Sequence, residues 1–182
     1  MASLKDLKGR ISSVQGTRRL TSAMKMVSGA KLRKATQAAE AARPYAERME
    51  RMLGSLASGA EAGNGPALLT GTGKEDTHLF VLITSDRGLC GGFNGNLVRE
   101  AKIRMDDLKN QGKQVKILTV GRKGASLLRR DFGDSIVGTF DELCKPAPSF
   151  EGASEVVNKV SDMFDAGEFD VCTIYYNKFV NA

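Results

Sequence analysis

The clearest chemical pattern in the sequence is a glycine-rich turn, residues 86–92, which follows an apolar run predicted to be a strand (79–84). Turns of this kind bind phosphate groups through backbone N–H groups at a helix N-terminus. The dinucleotide spacing G-x-G-x-x-G is not formed by the glycines of this region, which are Gly88, Gly91, Gly92 and Gly95. No Gly-Lys-Ser/Thr follows that could hold a phosphate and magnesium. The spacing therefore argues against nucleotide binding.

A second turn, residues 121–124, follows the next predicted strand and carries Arg122 and Lys123 between two glycines. Two cations in a turn suit an anionic ligand, yet basic residues in turns are more often simply solvated. We therefore predict no cofactor site here.

Side chains that commonly perform catalysis are few and scattered. His78 is the single histidine, and it borders a predicted strand, where a surface or sheet-edge position is expected. Cys90 has no histidine nearby in sequence to activate its thiol, so we expect a small buried side chain. The acidic pairs of the chain lack metal-ligand spacing. The sequence therefore predicts no catalytic residue and no metal site.

The three cysteines, Cys90, Cys144 and Cys172, are an odd number and form no C-x-x-C motif. This pattern argues against a disulfide framework and against a zinc site. We expect them to behave as small apolar residues in a reducing compartment.

The sequence has no run of about 18 apolar residues, the length that predicts a membrane-spanning helix. Residues 1–10 also lack the apolar region of a secretory signal. We therefore expect no direct insertion into a membrane.

Basic residues are concentrated at the start of the chain. Residues 1–57 hold 12 Lys and Arg against four Asp and Glu, whereas residues 58–182 hold 15 against 17. A run of charges is often only a solvated helix face. Its one-sidedness here favours an acidic partner, which can be protein, nucleic acid or anionic lipid.

The first 57 residues predict a single long helix. Ser3 is a suitable N-cap with Asp6 three residues later, and strong helix formers follow without proline as far as Pro44. At Pro44 we expect a kink, or a restart near Tyr45. Residues 58–77 are predicted to be a linker, marked by the turn sequence Gly63-Asn64-Gly65-Pro66.

An apolar 3-4 repeat predicts that this helix is one strand of a coiled coil. Starting from Leu4, twelve of sixteen seam positions are apolar as far as Leu56. The four failures are consecutive, and there the apolar stripe slips by one residue, as in a stammer. Two interior glycines, Gly16 and Gly29, each cost about 1 kcal/mol relative to alanine.

Residues 78–182 alternate between strand and helix patterns. Short β-branched runs between amphipathic helices predict an α/β, Rossmann-like domain with a mostly parallel sheet that is flanked by helices on both faces. Strands are predicted at 79–84, 115–120, 135–140 and 171–176, and helices at 97–109, 125–131 and 154–165.

Two stretches together resemble the gamma subunit of the F-type ATP synthase, the central rotor shaft of that enzyme. The first is the loop Thr84-Ser85-Asp86-Arg87-Gly88-Leu89-Cys90-Gly91-Gly92 after its strand. The second is the N-terminal helix, with Leu4-Lys5-Asp6-Leu7, then Ile11, Val14 and Gln15, and then Met24-Lys25-Met26-Val27-Ser28-Gly29-Ala30-Lys31. The resemblance covers nearly the whole chain.

The resemblance implies both a fold and a function. In this family the N-terminal helix pairs with a C-terminal helix in an antiparallel coiled coil inside a hexamer of alternating alpha and beta subunits. Proton flow through a membrane c-ring rotates the shaft, which cycles the catalytic sites of the hexamer, so the subunit itself is not an enzyme. The α/β domain lies against the epsilon subunit and the c-ring. The implied location is the cytoplasmic face of the bacterial inner membrane, as a peripheral part of the complex.

The resemblance also assigns a rotor–stator interface. Met24 and Lys25 match a segment near the acidic C-terminal lever of the beta subunit, and ordinary core packing is an equally good explanation for Met26. A basic cluster expected to meet acidic residues comprises Lys31, Arg33 and Lys34. The matching loop, whose arginine reaches toward a beta subunit in one rotational position, comprises Asp86, Arg87, Gly88, Leu89, Cys90, Gly91 and Gly92.

The sequence departs from the family pattern in two places. Ser28-Gly29 stands where the family often has an alanine pair, which bears on the stiffness of the helix. The C-terminal shaft helix of the family is absent from these residues, so we expect a truncated or natively short form of the subunit.

Two other classes of function stay open. Residues 78–182 could form a Rossmann-like nucleotide-binding enzyme, which would show saturable nucleotide binding. The first helix could instead belong to a basic coiled-coil protein that binds nucleic acid, whose affinity would fall steeply with salt. Against the second alternative, Tyr45 is the single aromatic residue of that helix.

Overall fold

A computed structural model describes residues 3–59, 65–145 and 147–181 of the chain. Gly63 and Asn64 of the predicted linker, and the last residue, Ala182, lie outside the described residues. The chain divides into two compact units, Met1–Gly59 and Ala60–Ala182.

The first unit is one helix, α1 (Leu4–Gly59), of 56 residues. Its start is fixed by a reciprocal cap: the Ser3 Oγ accepts the Asp6 N–H at 3.2 Å, and the Asp6 carboxylate accepts the Ser3 N–H at 3.2 Å. Both side chains thus satisfy backbone donors that have no partner within the helix. The predicted N-cap at Ser3, with Asp6 as its partner, is confirmed.

Helix α1 continues through Pro44, so of the two outcomes expected there, a kink or a restart near Tyr45, the restart does not occur. A proline inside a helix removes one backbone hydrogen bond and crowds the preceding turn. No residue of α1 is buried, and the predicted apolar stripe is exposed along its length. Among the described residues, no helix is both long and apolar enough to cross a membrane.

The second unit alternates strands and helices. A short helix, α2 (Ala67–Thr70), lies within the predicted linker, and the strands are β1 (Thr77–Ile83), β2 (Gln114–Val120), β3 (Ile136–Phe140) and β4 (Val171–Tyr175). The longer helices are α3 (Phe93–Asn110), α4 (Arg122–Phe132) and α5 (Phe150–Asp165), and a 3-10 turn, Gly133–Ser135, precedes β3.

The four strands form one sheet in the order β3-β2-β1-β4. Every pairing is parallel, and β1 has partners on both sides, with His78 opposite Val115 of β2 and Val171 of β4. The predicted α/β fold with a parallel sheet is therefore confirmed. All four strands end at the same edge of the sheet, where the glycine-rich loop and the second turn emerge.

Each face of the sheet carries its own core. On one face, Phe80 and Leu82 of β1 pack with the buried residues of α3 and α4, such as Met105 and Leu128. On the other face, Leu79 and Val81 of β1 and Leu118 of β2 pack with Met163 of α5. Helices on both faces explain why β1 is buried at five consecutive positions.

Two predictions about side-chain burial are wrong. His78 is buried, because β1 is a central strand, and its Nε2 lies 3.2 Å from the Glu75 carbonyl oxygen. All three cysteines are exposed. Cys90 lies in a loop, and Cys172 lies on β4, an edge strand of the sheet, so neither side chain is surrounded by the core.

Candidate functional site

The residues of the predicted interface lie in both units of the chain. Met24, Lys25, Lys31, Arg33 and Lys34 belong to α1, and residues 86–92 lie in the loop between β1 and α3. The two groups are described separately below.

The five interface residues of α1 are all exposed. Met24 exposes 59% of its surface, so within this unit it is not a core residue. None of the ion pairs among the described residues involves Lys25, Lys31, Arg33 or Lys34. This stretch of α1 therefore offers cations and apolar side chains together to solvent.

The loop 86–92 is organised around Asn94, at the start of α3. Asn94 is buried, and its Oδ1 accepts the Ser85 N–H at 2.9 Å. Its Nδ2 donates to the Ser85 Oγ at 2.8 Å and contacts the Cys90 Sγ at 3.2 Å. The Ser85 hydroxyl in turn donates to the Arg87 carbonyl at 2.5 Å. The Asn94 side chain thereby links Ser85, at the start of the loop, to Cys90 near its end.

Two residues near the tip of the loop adopt left-handed backbone conformations. Leu89 has φ +61° and Gly91 has φ +58°. A left-handed conformation costs a residue other than glycine roughly 1–2 kcal/mol, so it persists where the surroundings impose it. Leu89 is fully exposed, and Arg87 is exposed as well. The loop therefore presents one apolar and one cationic side chain to solvent.

Asp86 is half-buried. It differs from its neighbours in the loop because its carboxylate bonds to backbone N–H groups of two other segments of the α/β unit. Its Oδ1 accepts the N–H of Arg122 at 3.1 Å, and its Oδ2 accepts the N–H of Glu142 at 3.1 Å. Arg122 begins α4, and Glu142 follows β3. One carboxylate therefore joins segments that follow three different strands.

An ionic cluster surrounds this junction. The Glu142 Oε1 pairs with the Lys145 Nζ at 2.5 Å and with the Arg122 Nη2 at 2.8 Å. The hydrogen bond from Lys145 holds the pKa of the Glu142 carboxyl below its ordinary value, with Arg122 contributing in the same direction. The guanidinium of Arg122 thus bonds to a side chain of the same domain. Within the described residues, no group of three or more metal-ligating side chains is found.

Sequence reasoning missed Thr84, Asn94 and Glu142 as functional neighbours of the loop. The Thr84 Oγ1 donates to the Val120 carbonyl at 3.1 Å and accepts the Gly124 N–H at 2.9 Å. Asn94 carries a local signal, since it lies two residues after the glycine pair, near the predicted helix start. The contacts of Thr84 and Glu142 span the fold and have no local signal.

Sequence comparison identifies the chain's relatives. The sequence model of the ATP synthase family matches residues 3–182. The ATP synthase gamma chain of Paramagnetospirillum magneticum is 54% identical over 183 residues, which cover 100% of this chain and 62% of that protein. The gamma chain of Parvibaculum lavamentivorans is 54% identical over 182 residues, with the same two coverages.

Structural comparison agrees. A chain in the cryo-EM structure of the central stalk and c-ring of the Tetrahymena thermophila mitochondrial ATP synthase superposes with a TM-score of 0.67. That chain is 31% identical, and the match covers 89% of the present chain and 66% of the other.

The fold is a long exposed helix followed by an α/β domain with a parallel sheet, and the matches to known proteins identify the family. The chain belongs to the ATP synthase gamma chain family. It spans about 62% of the length of the curated relatives it matches. Neither a nucleotide-binding enzyme nor a nucleic-acid-binding coiled coil is favoured by these relatives.

Proposed function

We propose that this chain is the shaft portion of a rotary ATP synthase, in which it couples rotation to ATP synthesis without a catalytic site of its own. The observation that carries the proposal is the identity of 54% to ATP synthase gamma chains over the full length of the chain. In that role the protein would lie within a hexamer of alpha and beta subunits, which would carry the catalytic sites.

The form of α1 supports the role of a shaft. At 1.5 Å per residue, 56 residues make a rod of about 84 Å. Its apolar stripe needs a partner helix, and its basic residues remain available for the surrounding subunits. Conformational coupling requires that each catalytic site meets a different face of the shaft, and an asymmetric rod provides such faces.

The proposed contacts with the hexamer fall into two groups. Met24, Lys25, Lys31, Arg33 and Lys34 would meet the beta subunits from the shaft. The loop 86–92 would approach a beta subunit in one rotational position, with Arg87 and Leu89 outermost. Exposed charge pairs contribute only about 0–1 kcal/mol each, which suits a contact that must be released at every step.

The remaining partners and the location are part of the same proposal. The α/β domain would contact the epsilon subunit and the membrane c-ring, and the chain would be a peripheral component on the cytoplasmic face of the bacterial inner membrane. Proton flow through the ring would then reach the hexamer as rotation of α1. The chain itself would neither bind a cofactor nor enter the membrane.

Native mass spectrometry of a tagged chain, recovered with its partners from its own host, tests the proposal. We expect a particle with three alpha subunits, three beta subunits and one copy of the tagged chain. A monomer or a homo-oligomer of the chain, without alpha and beta subunits, would refute the role.

A variant with Lys31, Arg33 and Lys34 replaced by Glu tests the contacts, and Arg104→Glu on α3 is the matched control for a charge reversal outside the proposed interface.

For the triple variant we expect assembly at the same stoichiometry but a lower rate of ATP hydrolysis by the purified complex, with the control at the parent rate. Equal rates in the triple variant and the parent would remove these three residues from the proposed interface.

A further inference from the structure

The N-terminus of α4 is capped by residues of another segment. Its N-cap position is Gly121, which has no side chain to accept a hydrogen bond. The first N–H groups of a helix have no partner inside the helix and need one outside it. In this chain the donors at 122, 123 and 124 are all satisfied by the three residues that follow β1.

The three hydrogen bonds run in antiparallel order along the two segments. The Asp86 carboxylate accepts the N–H of Arg122 at 3.1 Å. The Ser85 carbonyl accepts the N–H of Lys123 at 3.1 Å, and the Thr84 hydroxyl accepts the N–H of Gly124 at 2.9 Å. The segment 84–86 therefore performs the task that an N-cap side chain performs in other helices.

The glycines of the second turn make this approach sterically feasible. A Cβ on Gly121 would lie 2.3 Å from the Thr84 carbonyl oxygen, and Gly121 has φ +98°. A Cβ on Gly124 would lie 2.9 Å from the Thr84 Oγ1. Segments 84–86 and 121–124 are thus in close contact. The anion bound at the turn 121–124 is the carboxylate of Asp86.

The same carboxylate reaches a third segment. Its second oxygen accepts the N–H of Glu142, which has a left-handed φ of +61°. A carboxylate is well suited to this position, because it has two acceptor oxygens and because a negative charge is stabilised at a helix N-terminus. A side chain with a single acceptor oxygen would bond to only one of the two N–H groups, and a neutral side chain would lack the favourable charge.

We propose that Asp86 is the positioning residue of this loop: its carboxylate faces the domain and fixes the exposed residues 87–92 to the ends of β2 and β3. The inference rests on the proposed function insofar as the loop is taken to be a contact surface. Force on Arg87 or Leu89 would pass through Asp86 into two neighbouring segments of the sheet edge, so the loop would move with the domain as one body.

The test uses the 182-residue chain with Cys144→Ser and Cys172→Ser, so that Cys90 is the single thiol. Asp86→Ala removes both acceptors, and Asp86→Asn keeps one. Asp106→Ala, which removes an exposed carboxylate of α3, is the matched control. Hydrogen exchange reports the Arg122 and Glu142 amides, and the reaction of Cys90 with a disulfide reagent reports the loop, both well below the melting temperature.

We expect Asp86→Ala to accelerate exchange of both amides at least tenfold and to change the Cys90 reaction rate at least threefold. Asp86→Asn should accelerate one of the two amides, and Asp106→Ala neither. Unchanged exchange of both amides in Asp86→Ala would overturn the inference. A lower melting temperature with an unchanged Cys90 rate would also overturn it, since this result would mean that Asp86 only stabilises the fold.

If Asp86→Ala does not fold, Asp86→Asn decides alone, and equal exchange of both amides in that variant and the parent would then refute the inference. These measurements need no partner subunit. Failure to recover alpha and beta subunits would therefore count against the proposed function only, whereas unchanged amide exchange would count against the role of Asp86 only.

Discussion

The two units of this chain are stabilised in different ways. Helix α1 has no buried residue, whereas β1 of the α/β unit is buried at five consecutive positions. Isolated helices depend on intrinsic propensity, capping and local pairs, and most helical stability in proteins comes from packing. A leucine side chain therefore contributes differently to the free energy of unfolding in each unit. In α1 it is an unused contact surface, and in the sheet it is part of the core.

The largest test of this difference is a matched pair of leucine truncations. Leu118 is fully buried and Leu20 exposes 64% of its surface. We expect Leu118→Ala to lower the free energy of unfolding by about 2–5 kcal/mol, because it leaves a cavity. Leu20→Ala should change it by less than about 0.5 kcal/mol. Urea unfolding followed by circular dichroism measures both, and equal losses would break the distinction between the units.

The next test concerns the tight approach of two segments in the α/β unit. Gly121 and Gly112 both have positive φ, but only Gly121 faces a backbone atom, at 2.3 Å from an added Cβ. We expect Gly112→Ala to cost about 1 kcal/mol from backbone strain alone. Gly121→Ala should cost more than twice as much, on the order of 2–3 kcal/mol, because Thr84 must also move. Thermal melts of both variants test this, and similar losses would show that the approach is loose.

Acid should weaken the α/β unit through Asp170, which joins the start of β4 to the start of β1. Its carboxylate accepts the N–H groups of Asp76 at 3.0 Å and of Thr77 at 2.9 Å. The hydrogen bond from Thr77, followed by those from Asp76 and Thr72, holds the pKa of Asp170 below its ordinary value. A lowered folded-state pKa contributes stability that is present above the unfolded pKa, and that stability is lost as the pH falls toward the folded value.

We therefore expect the free energy of unfolding to be level near neutral pH and to fall below about pH 4, where an unfolded aspartate takes up its proton. Asp170→Asn should be less stable than the parent at pH 7 and should flatten the acid limb. Urea unfolding between pH 3 and pH 7 measures this. A parallel profile in Asp170→Asn and the parent would exclude Asp170 as a source of the acid sensitivity.

The smallest expected effect is a gain in α1. Gly29 lies inside the helix, and an added Cβ would have nothing within 4 Å. Gly29→Ala should stabilise the helix locally by about 1 kcal/mol, and Ala30→Gly should destabilise it by the same amount. Hydrogen exchange of the α1 amides measures both changes, and the exchange of the sheet amides should not change. A response of the sheet to either variant would mean that the units are not independent.

Local patterns predicted the fold well wherever the controlling interactions are local. The cap formed by Ser3 and Asp6 spans three residues, and the strands were found within two residues of their observed bounds. Helix starts were less accurate: α3 begins at Phe93 rather than 97, and α5 at Phe150 rather than 154. The first turns of these helices are mostly exposed, so apolar periodicity begins only after them.

Burial and long-range bonds could not be predicted from local patterns. The burial of His78 depends on the strand order, which places β1 between β2 and β4. The role of Asp86 depends on amides that lie 36 and 56 residues away in the sequence. The resemblance predicted the loop as a contact surface, but it did not distinguish the residue that faces inward from those that face outward.

The strand order also has a consequence for the timing of synthesis. β1 is complete only when β4 reaches it, and Asp170 bonds to Thr77 across 93 residues of sequence. About 110 residues separate the end of α1 from β4, which at 5–20 residues per second takes a ribosome roughly 6–20 s. The residues of α1 are therefore synthesised many seconds before the sheet of the second unit can close.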